Sequence, residues 1–124
     1  MSLSHISFQR GEVWQTIGEV DNEENKEGRP LLIVSRDDLN RGDTVVAVPF
    51  YSQQLEKRKL LKWCVFFKRG IAGLRKDCVA KCDEIAFYDK LDIDWRHGKL
   101  GRMNVDEMNA VAKAIRYVIR DDVS

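Results

Sequence analysis

Residues 29–35 read RPLLIVS. Four consecutive apolar side chains, Leu31 to Val34, are entered through a proline and left into the charged stretch RDDLNRGD, residues 36–43. A run this short, bounded by turn-forming residues, reads as a strand, and its unbroken apolarity predicts burial on both faces. Pro30 has no N–H to donate and so belongs at the strand's start. Arg29 stands just outside it, either an ordinary polar residue at a strand end or a side chain aimed at something.

A strand buried on both faces needs neighbours, and the chain supplies candidates. GEVWQTIGEV (11–20) places Val13 and Ile17 among polar residues around Trp14 and reads as a first strand. DNEENKEG (21–28) is polar, charged and closed by glycine, a loop. TVVAVPFYS (44–52) is a third strand, in which Pro49 marks a bulge or the end of ladder pairing. QQLEKRKLLK (53–62) is a charged connection. WCVFFKRG (63–70) and DCVAKCDEIAFY (77–88) read as further strands, with Gly70 and Gly73 favouring a tight turn between them. Residues 90–103 show no sustained period.

Only near the end does the period change. Asn104 is a good N-cap, and Glu107 three residues later completes a capping box. Val105, Met108, Val111, Ala112, Ile115, Val118 and Ile119 then fall on one face of a helix over 104–120, a stripe for core packing or a dimer seam. The expected fold is mainly β, a strongly bent antiparallel sheet or partly open barrel with a helix packed on it. At 124 residues the chain is one domain, 1–124, with residues 1–9 as an N-terminal extension.

No apolar run approaches the ~20 residues of a membrane span. No basic segment followed by an apolar stretch opens the chain, so no signal peptide is expected. Cys64, Cys78 and Cys82 are an odd count without framework spacing, which points to reduced thiols in the cytoplasm. Cys78 and Cys82 have no second Cys/His pair nearby, and His5 and His97 lie at opposite ends of the chain, so no metal site is expected.

The net charge of +1 hides an uneven distribution. Residues 41–81 hold ten Lys/Arg against three Asp/Glu, whereas residues 1–40 hold four against eight and residues 82–124 seven against nine. A basic middle third is compatible with a polyanionic ligand and equally with solvated hairpin loops.

No Gly-rich phosphate loop, H-E-x-x-H or G-x-S-x-G is present. What remains is a set of polar residues at strand ends: Arg29, Ser52, Lys81 and Asp83, with Glu24 in the loop ahead of Arg29. On a regular strand Lys81 and Asp83 share a face, with Cys82 on the other. Such a pair is either a surface ion pair, worth at most ~1 kcal/mol, or a mutually tuned acid and base.

Taken in order, R-G-E-V-W, an acidic loop, G-R-P-L-L-I-V-S, V-V-A-V-P-F-Y-S-Q and K-C-D-E-I before a final helix resemble the PemK/MazF family of toxins from bacterial toxin–antitoxin pairs. The resemblance runs from about Gly11 to the C-terminal helix. It implies an SH3-like small barrel of about five to seven antiparallel strands plus one to three helices. It also implies a homodimer, a cognate antitoxin as partner, and cleavage of single-stranded RNA without metal or other cofactor. By position, Arg29 falls on the family's catalytic arginine and Glu24 on a loop glutamate five residues before it. Lys81 and Asp83 match a basic-x-Asp pair given acid and base roles in one branch, which usually has Arg first. The family's Thr/Ser pair after the third strand is Tyr51–Ser52 here, followed by Gln53. A histidine that some members carry in the loop is Glu23.

The resemblance thus implies Arg29, Asp83, Lys81 and Ser52 as catalytic residues. Glu24, Tyr51, Gln53, Lys57, Arg58 and Lys59 are the residues expected to contact RNA. Trp14, Phe50, Tyr51 and Trp63 are either stacking surfaces or, for the two tryptophans and Phe50, core packing. The alternative function is a non-catalytic barrel that binds RNA or a protein.

Overall fold

The structure is a computed structural model and describes residues 6–18 and 28–119. Seven strands follow in chain order with two helices: β1 (Glu12–Gln15), β2 (Pro30–Ile33), β3 (Thr44–Tyr51), α1 (Leu55–Arg58), β4 (Cys64–Phe67), β5 (Cys78–Lys81), β6 (Ala86–Asp89), β7 (Gly101–Arg102) and α2 (Val105–Ile119). All pairings are antiparallel, in the order β4-β5-β3-β2-β1-β7, with β6 also on β3. The mainly β fold with a C-terminal helix is the one expected.

β3 is the longest strand and organises the rest. One edge pairs with β2, Leu31 opposite Pro49 and Ile33 opposite Ala47. The other edge pairs first with β6, from Thr44 to Ala47, and then with β5 at Phe50 and Tyr51. The change of partner falls across Val48 and Pro49, where a residue without an N–H ends the first ladder. One strand thereby feeds two sheet segments, and the sheet curls.

β2 lies between β1 and β3 and is buried on both faces, as its unbroken apolar run requires. Leu32 faces one core cluster with Val13, Val48, Phe50, Phe67 and the inner side of α2. Leu31 and Ile33 face the other, with Phe8, Trp14, Val45, Ala47 and Ile93. Phe8 packs on Trp14 with ring centroids 4.4 Å apart. Fully burying side chains of this size contributes about 1.5–3 kcal/mol each, which makes the doubly covered β2 a rigid support for whatever its ends carry.

The capping box of α2 is formed in both directions. The Glu107 N–H donates to Asn104 Oδ1 at 2.8 Å, and the Asn104 N–H donates to Glu107 Oε1 at 2.7 Å. The apolar stripe is only partly used. Met108 and Val111 are buried, Ala112 and Ile115 half-buried, and Val105, Val118 and Ile119 exposed.

Other segments differ from expectation. β1 ends at Gln15; Thr16 bridges to Ile93, and Ile17 is exposed. The loop expected over 21–28 lies, up to residue 27, outside the described residues. The charged connection contains α1, entered through Gln54 in the left-handed region. The single strand expected over 77–88 is two strands, interrupted by a 3-10 turn at Cys82–Glu84. Irregular residues 90–103 contain a 3-10 turn at Lys90–Asp92 and the two-residue β7.

The sequence R-G-E-V-W has a structural use. Glu12 is buried, and its carboxylate accepts from the Gln9 N–H, from Trp14 Nε1 and from Lys99 Nζ at 2.7, 3.1 and 3.1 Å. A buried carboxylate is tolerated when its lone pairs are filled in this way.

Candidate functional site

Arg29 is fixed before its side chain is considered. Its N–H donates to Thr16 Oγ1 at 2.7 Å, and its carbonyl accepts from the Thr16 N–H at 2.9 Å. Gly28 precedes it with φ +81°, and a Cβ there would overlap the Thr16 carbonyl. Only glycine fits both the left-handed backbone and the close approach. The G-R-P sequence therefore delivers an arginine at the β2 entrance with its backbone clamped to the end of β1.

The side chain crosses to the end of β3. Arg29 Nη1 donates to the Phe50 carbonyl at 3.1 Å, and the guanidinium carbon lies 3.9 Å from the centre of the Tyr51 ring. Two further cations approach that ring, Arg58 at 4.9 Å from α1 and Lys81 Nζ at 5.1 Å from the end of β5. Stacking of a cation on a tyrosine face is worth about 0.5–2 kcal/mol depending on desolvation. Its larger effect here is orientational, since a planar guanidinium over a ring keeps its N–H groups in one plane.

Lys81 and Asp83 are together, Nζ to Oδ2 3.9 Å, although the regular strand expected to align them is absent. The turn at Cys82–Glu84 brings a closer partner. Lys81 Nζ donates to Glu84 Oε2 at 2.6 Å, and the Tyr51 hydroxyl donates to Glu84 Oε1. Cys82, which opens the turn, is buried in the core. Glu84 is the residue that sequence reasoning missed. Its spacing of three from Lys81 was a readable signal for a helical turn, masked by reading 77–88 as one strand.

The electrostatics follow from this geometry. Burial first, then the hydrogen bond to Glu84 and its charge, push the Tyr51 phenol up to about 12, against the pull of Arg29. Burial works to raise the Glu84 carboxyl, but hydrogen bonds from Lys81 and Tyr51 and the charges of Lys81 and Arg29 outweigh it and leave it lowered. Burial and then the Glu84 charge raise the nearby Tyr88 phenol. At neutral pH the cluster therefore consists of an ionised Glu84 and a neutral, donating Tyr51.

The remaining sequence candidates divide. Ser52 and Gln53 are exposed directly after Tyr51, and the Gln53 carbonyl accepts from Arg58 Nη1 at 3.1 Å. Lys57 is exposed on α1, whereas Lys59 pairs with Glu56 at 3.0 Å. Trp14 and Phe50 belong to the core, and Trp63 stacks on Tyr117 with centroids 6.2 Å apart. Glu24 and Glu23 lie outside the described residues. Cys64, Cys78 and Cys82 are free, buried thiols. Among the described residues no three His, Cys, Asp or Glu side chains form a metal-binding group, and no helix is long and apolar enough to cross a membrane. A groove of about 730 Å³ between the β4 region and α2, rimmed by Lys62, Lys113 and Arg116, is separate from the Arg29–Tyr51–Lys81 cluster.

Comparison with solved structures finds the same fold in several toxins. An endoribonuclease in complex with its cognate antitoxin from a Mycobacterial species superposes with a TM-score of 0.68 at 22% identity, covering 90% of this chain and 94% of that one. The Mycobacterium tuberculosis toxin MazF-mt6 gives 0.69 at 18% identity, covering 90% and 99%. A MazE–MazF structure from Deinococcus radiodurans gives 0.66 at 18% identity, covering 94% and 98%. No curated protein matches the sequence. The family model described as PemK-like, MazF-like toxin of type II toxin-antitoxin system matches residues 9–119. With nearly the whole chain matched, the protein belongs to the PemK-like, MazF-like toxins of type II toxin–antitoxin systems.

Proposed function

We propose that this toxin is an endoribonuclease that cleaves single-stranded RNA using the substrate's own 2′-hydroxyl as nucleophile. The observation that carries the reading is the convergence of Arg29, Tyr51, Lys81 and Asp83 from three separate strand ends. A base takes the proton from the 2′-OH, the oxygen attacks the adjacent phosphorus, and the bond to the 5′-oxygen breaks as that oxygen is protonated. The products are a 2′,3′-cyclic phosphate and a 5′-OH end. Because RNA brings its nucleophile, the protein needs a base, a proton or cation for the leaving side, and fixed positive charge for the phosphorane, with no metal.

Arg29 suits the phosphorane, with a permanent charge and a planar fork of donors. Asp83 is the candidate base and Lys81 the cation beside it. Tyr51 occupies the family's threonine position and offers an aromatic surface, its hydroxyl proton being given to Glu84, and Ser52 orients the phosphate. Gln53, Lys57, Arg58 and Lys59 track the strand together with Glu24. DNA lacks the nucleophile and is not a substrate.

The natural partner on this reading is an antitoxin with an acidic segment complementary to the basic middle third, in keeping with antitoxin complexes among the structural neighbours. Exposed Val118 and Ile119 on α2 suit a second copy of the chain, and three free thiols suit the cytoplasm.

The test is incubation of purified protein with a long single-stranded RNA in EDTA, beside Arg29→Ala and Asp83→Asn. Discrete fragments that both variants fail to produce support the assignment. Intact RNA retained by excess protein would instead favour a binding module.

A further inference from the structure

We propose that Glu84 is a positioning residue of this site: its single carboxylate, accepting from both the Tyr51 hydroxyl and Lys81 Nζ, seats the tyrosine ring beneath Arg29 and holds Lys81 next to Asp83. The inference rests on the endoribonuclease reading for its catalytic consequence, but the network itself is independent of it.

Three cations lie within 3.9–5.1 Å of the centre of one tyrosine ring. Arg29, Arg58 and Lys81 repel each other unless an anion sits among them. Glu84 is that anion. It makes the short contact with Lys81, 2.6 Å against 3.9 Å for Asp83. The two carboxylates are thereby given different work. Glu84, bound by an ammonium and a phenol that hold its carboxyl lowered, serves as the anchor. Asp83, at the longer contact, is left for proton transfer.

The backbone that carries Glu84 is fixed in turn. Its 3-10 turn starts at buried Cys82, whose N–H donates to the Trp63 carbonyl at 2.9 Å, and closes through the Ile85 N–H to the Cys82 carbonyl at 3.3 Å. The chain from Trp63 through Glu84 to Tyr51 thus places the ring on which Arg29 stacks. A tyrosine ring is placed by two torsions: tethering the hydroxyl, which lies on the ring's long axis, fixes the first, and the cations packed on the ring limit rotation about that axis. Glu84, three residues after Lys81, receives the hydroxyl of a tyrosine standing where the family resemblance expects a threonine.

Glu84→Gln, Glu84→Ala, Tyr51→Phe and the double variant Tyr51→Phe/Glu84→Ala test this with two readouts. The first is ultraviolet titration of the phenols, which needs no activity. Burial and Glu84 push the Tyr51 phenol up to about 12; in Glu84→Gln it titrates lower, towards the ordinary tyrosine value, with far-ultraviolet circular dichroism followed in parallel so that only the pH range of folded protein is read. The groups facing it are Arg29, Arg58, Lys81, Glu84 and Tyr88, so Tyr88 shifts with it and the Tyr51→Phe difference separates the two.

The second readout is single-turnover cleavage beside RNA affinity. Glu84→Ala and Tyr51→Phe each slow cleavage on the order of 10²-fold with little change in affinity, and the double variant is no slower than either single one. An unmoved phenol titration in Glu84→Gln overturns the network. A moved titration with wild-type cleavage, or with losses that multiply in the double variant, overturns the positioning role. If the wild type cuts no RNA, the endoribonuclease reading fails, and the titration alone still decides whether Glu84 anchors Tyr51.

Discussion

The Arg29 guanidinium carbon lies 3.9 Å from the centre of the Tyr51 ring, while Nη1 of the same group donates to the carbonyl of Phe50. Both contacts come from the end of β3, so the arginine is oriented by the strand that precedes the expected phosphate position. Arg29→Lys keeps the charge but loses the planar fork and the stack. Cleavage by that variant is expected to fall on the order of 10²-fold or more, with RNA affinity reduced far less. Parallel measurement of single-turnover rate and RNA binding checks it, and an equal loss in both would assign Arg29 to binding alone.

Gly28→Ala is expected to damage both stability and cleavage. The position has φ +81°, and the added methyl would overlap the Thr16 carbonyl that the Arg29 segment pairs with. A residue forced into such backbone costs about 1–3 kcal/mol. Urea denaturation measures the first effect. Cleavage at a temperature where the variant remains folded measures the second, and full activity there would show that the Arg29 clamp is dispensable.

Lys90 supplies a test of the fold remote from the site. It is fully buried, with Nζ donating to the carbonyls of Asn40 and Ile6 at 2.6 and 3.2 Å and lying 5.4 Å from the centre of the Phe8 ring. Lys90→Met keeps the volume and orphans two acceptors. A loss of about 1–3 kcal/mol is expected, read as a lowered urea midpoint at unchanged slope. A stabilised variant would mean that the buried charge costs more than its hydrogen bonds return.

How far the sequence reached depended on distance along the chain. The capping box joins residues three apart and the burial of β2 follows from four adjacent ones, so both were readable. Arg29, Lys81 and Asp83 were singled out as strand-end polar residues, and the structure gathers them. Glu84 was not, because its bond to Tyr51 spans 33 positions and its bond to Lys81 requires a turn where alternation suggested a strand. The same limit applies to Glu12, whose buried carboxylate acquires its Lys99 partner only through the fold. Which part of the α2 stripe is buried depends on what the fold sets against the helix, and no local pattern encodes that.

Alkaline pH should destabilise the protein through its thiols. Burial pushes Cys78 and Cys82 up to about 12, with nearby Asp77 adding for the first and Cys64 and Asp83 for the second. The unfolded chain loses these protons from about pH 9, so between 9 and 12 the native state binds more protons and stability falls as pH rises. The slope is about 1.4 kcal/mol per pH unit per thiol. Urea midpoints at pH 7.5 and 10 measure it, and unchanged midpoints would contradict the burial of the two thiols. A thiol reagent should correspondingly react slowly with the native protein and fast in urea.

The most direct measurement maps one cut in a single-stranded RNA and then replaces the nucleotide on the 5′ side of the scissile phosphate by its 2′-deoxy counterpart, with Arg29→Ala as control. If the Arg29 cluster works through the substrate's 2′-hydroxyl, the all-ribose RNA yields a 2′,3′-cyclic phosphate and a 5′-OH end. The deoxy substrate then stays whole while still binding, and Arg29→Ala cuts neither. Cleavage of the deoxy substrate, ends bearing a 5′-phosphate, or an RNA left intact by excess wild-type protein would contradict it.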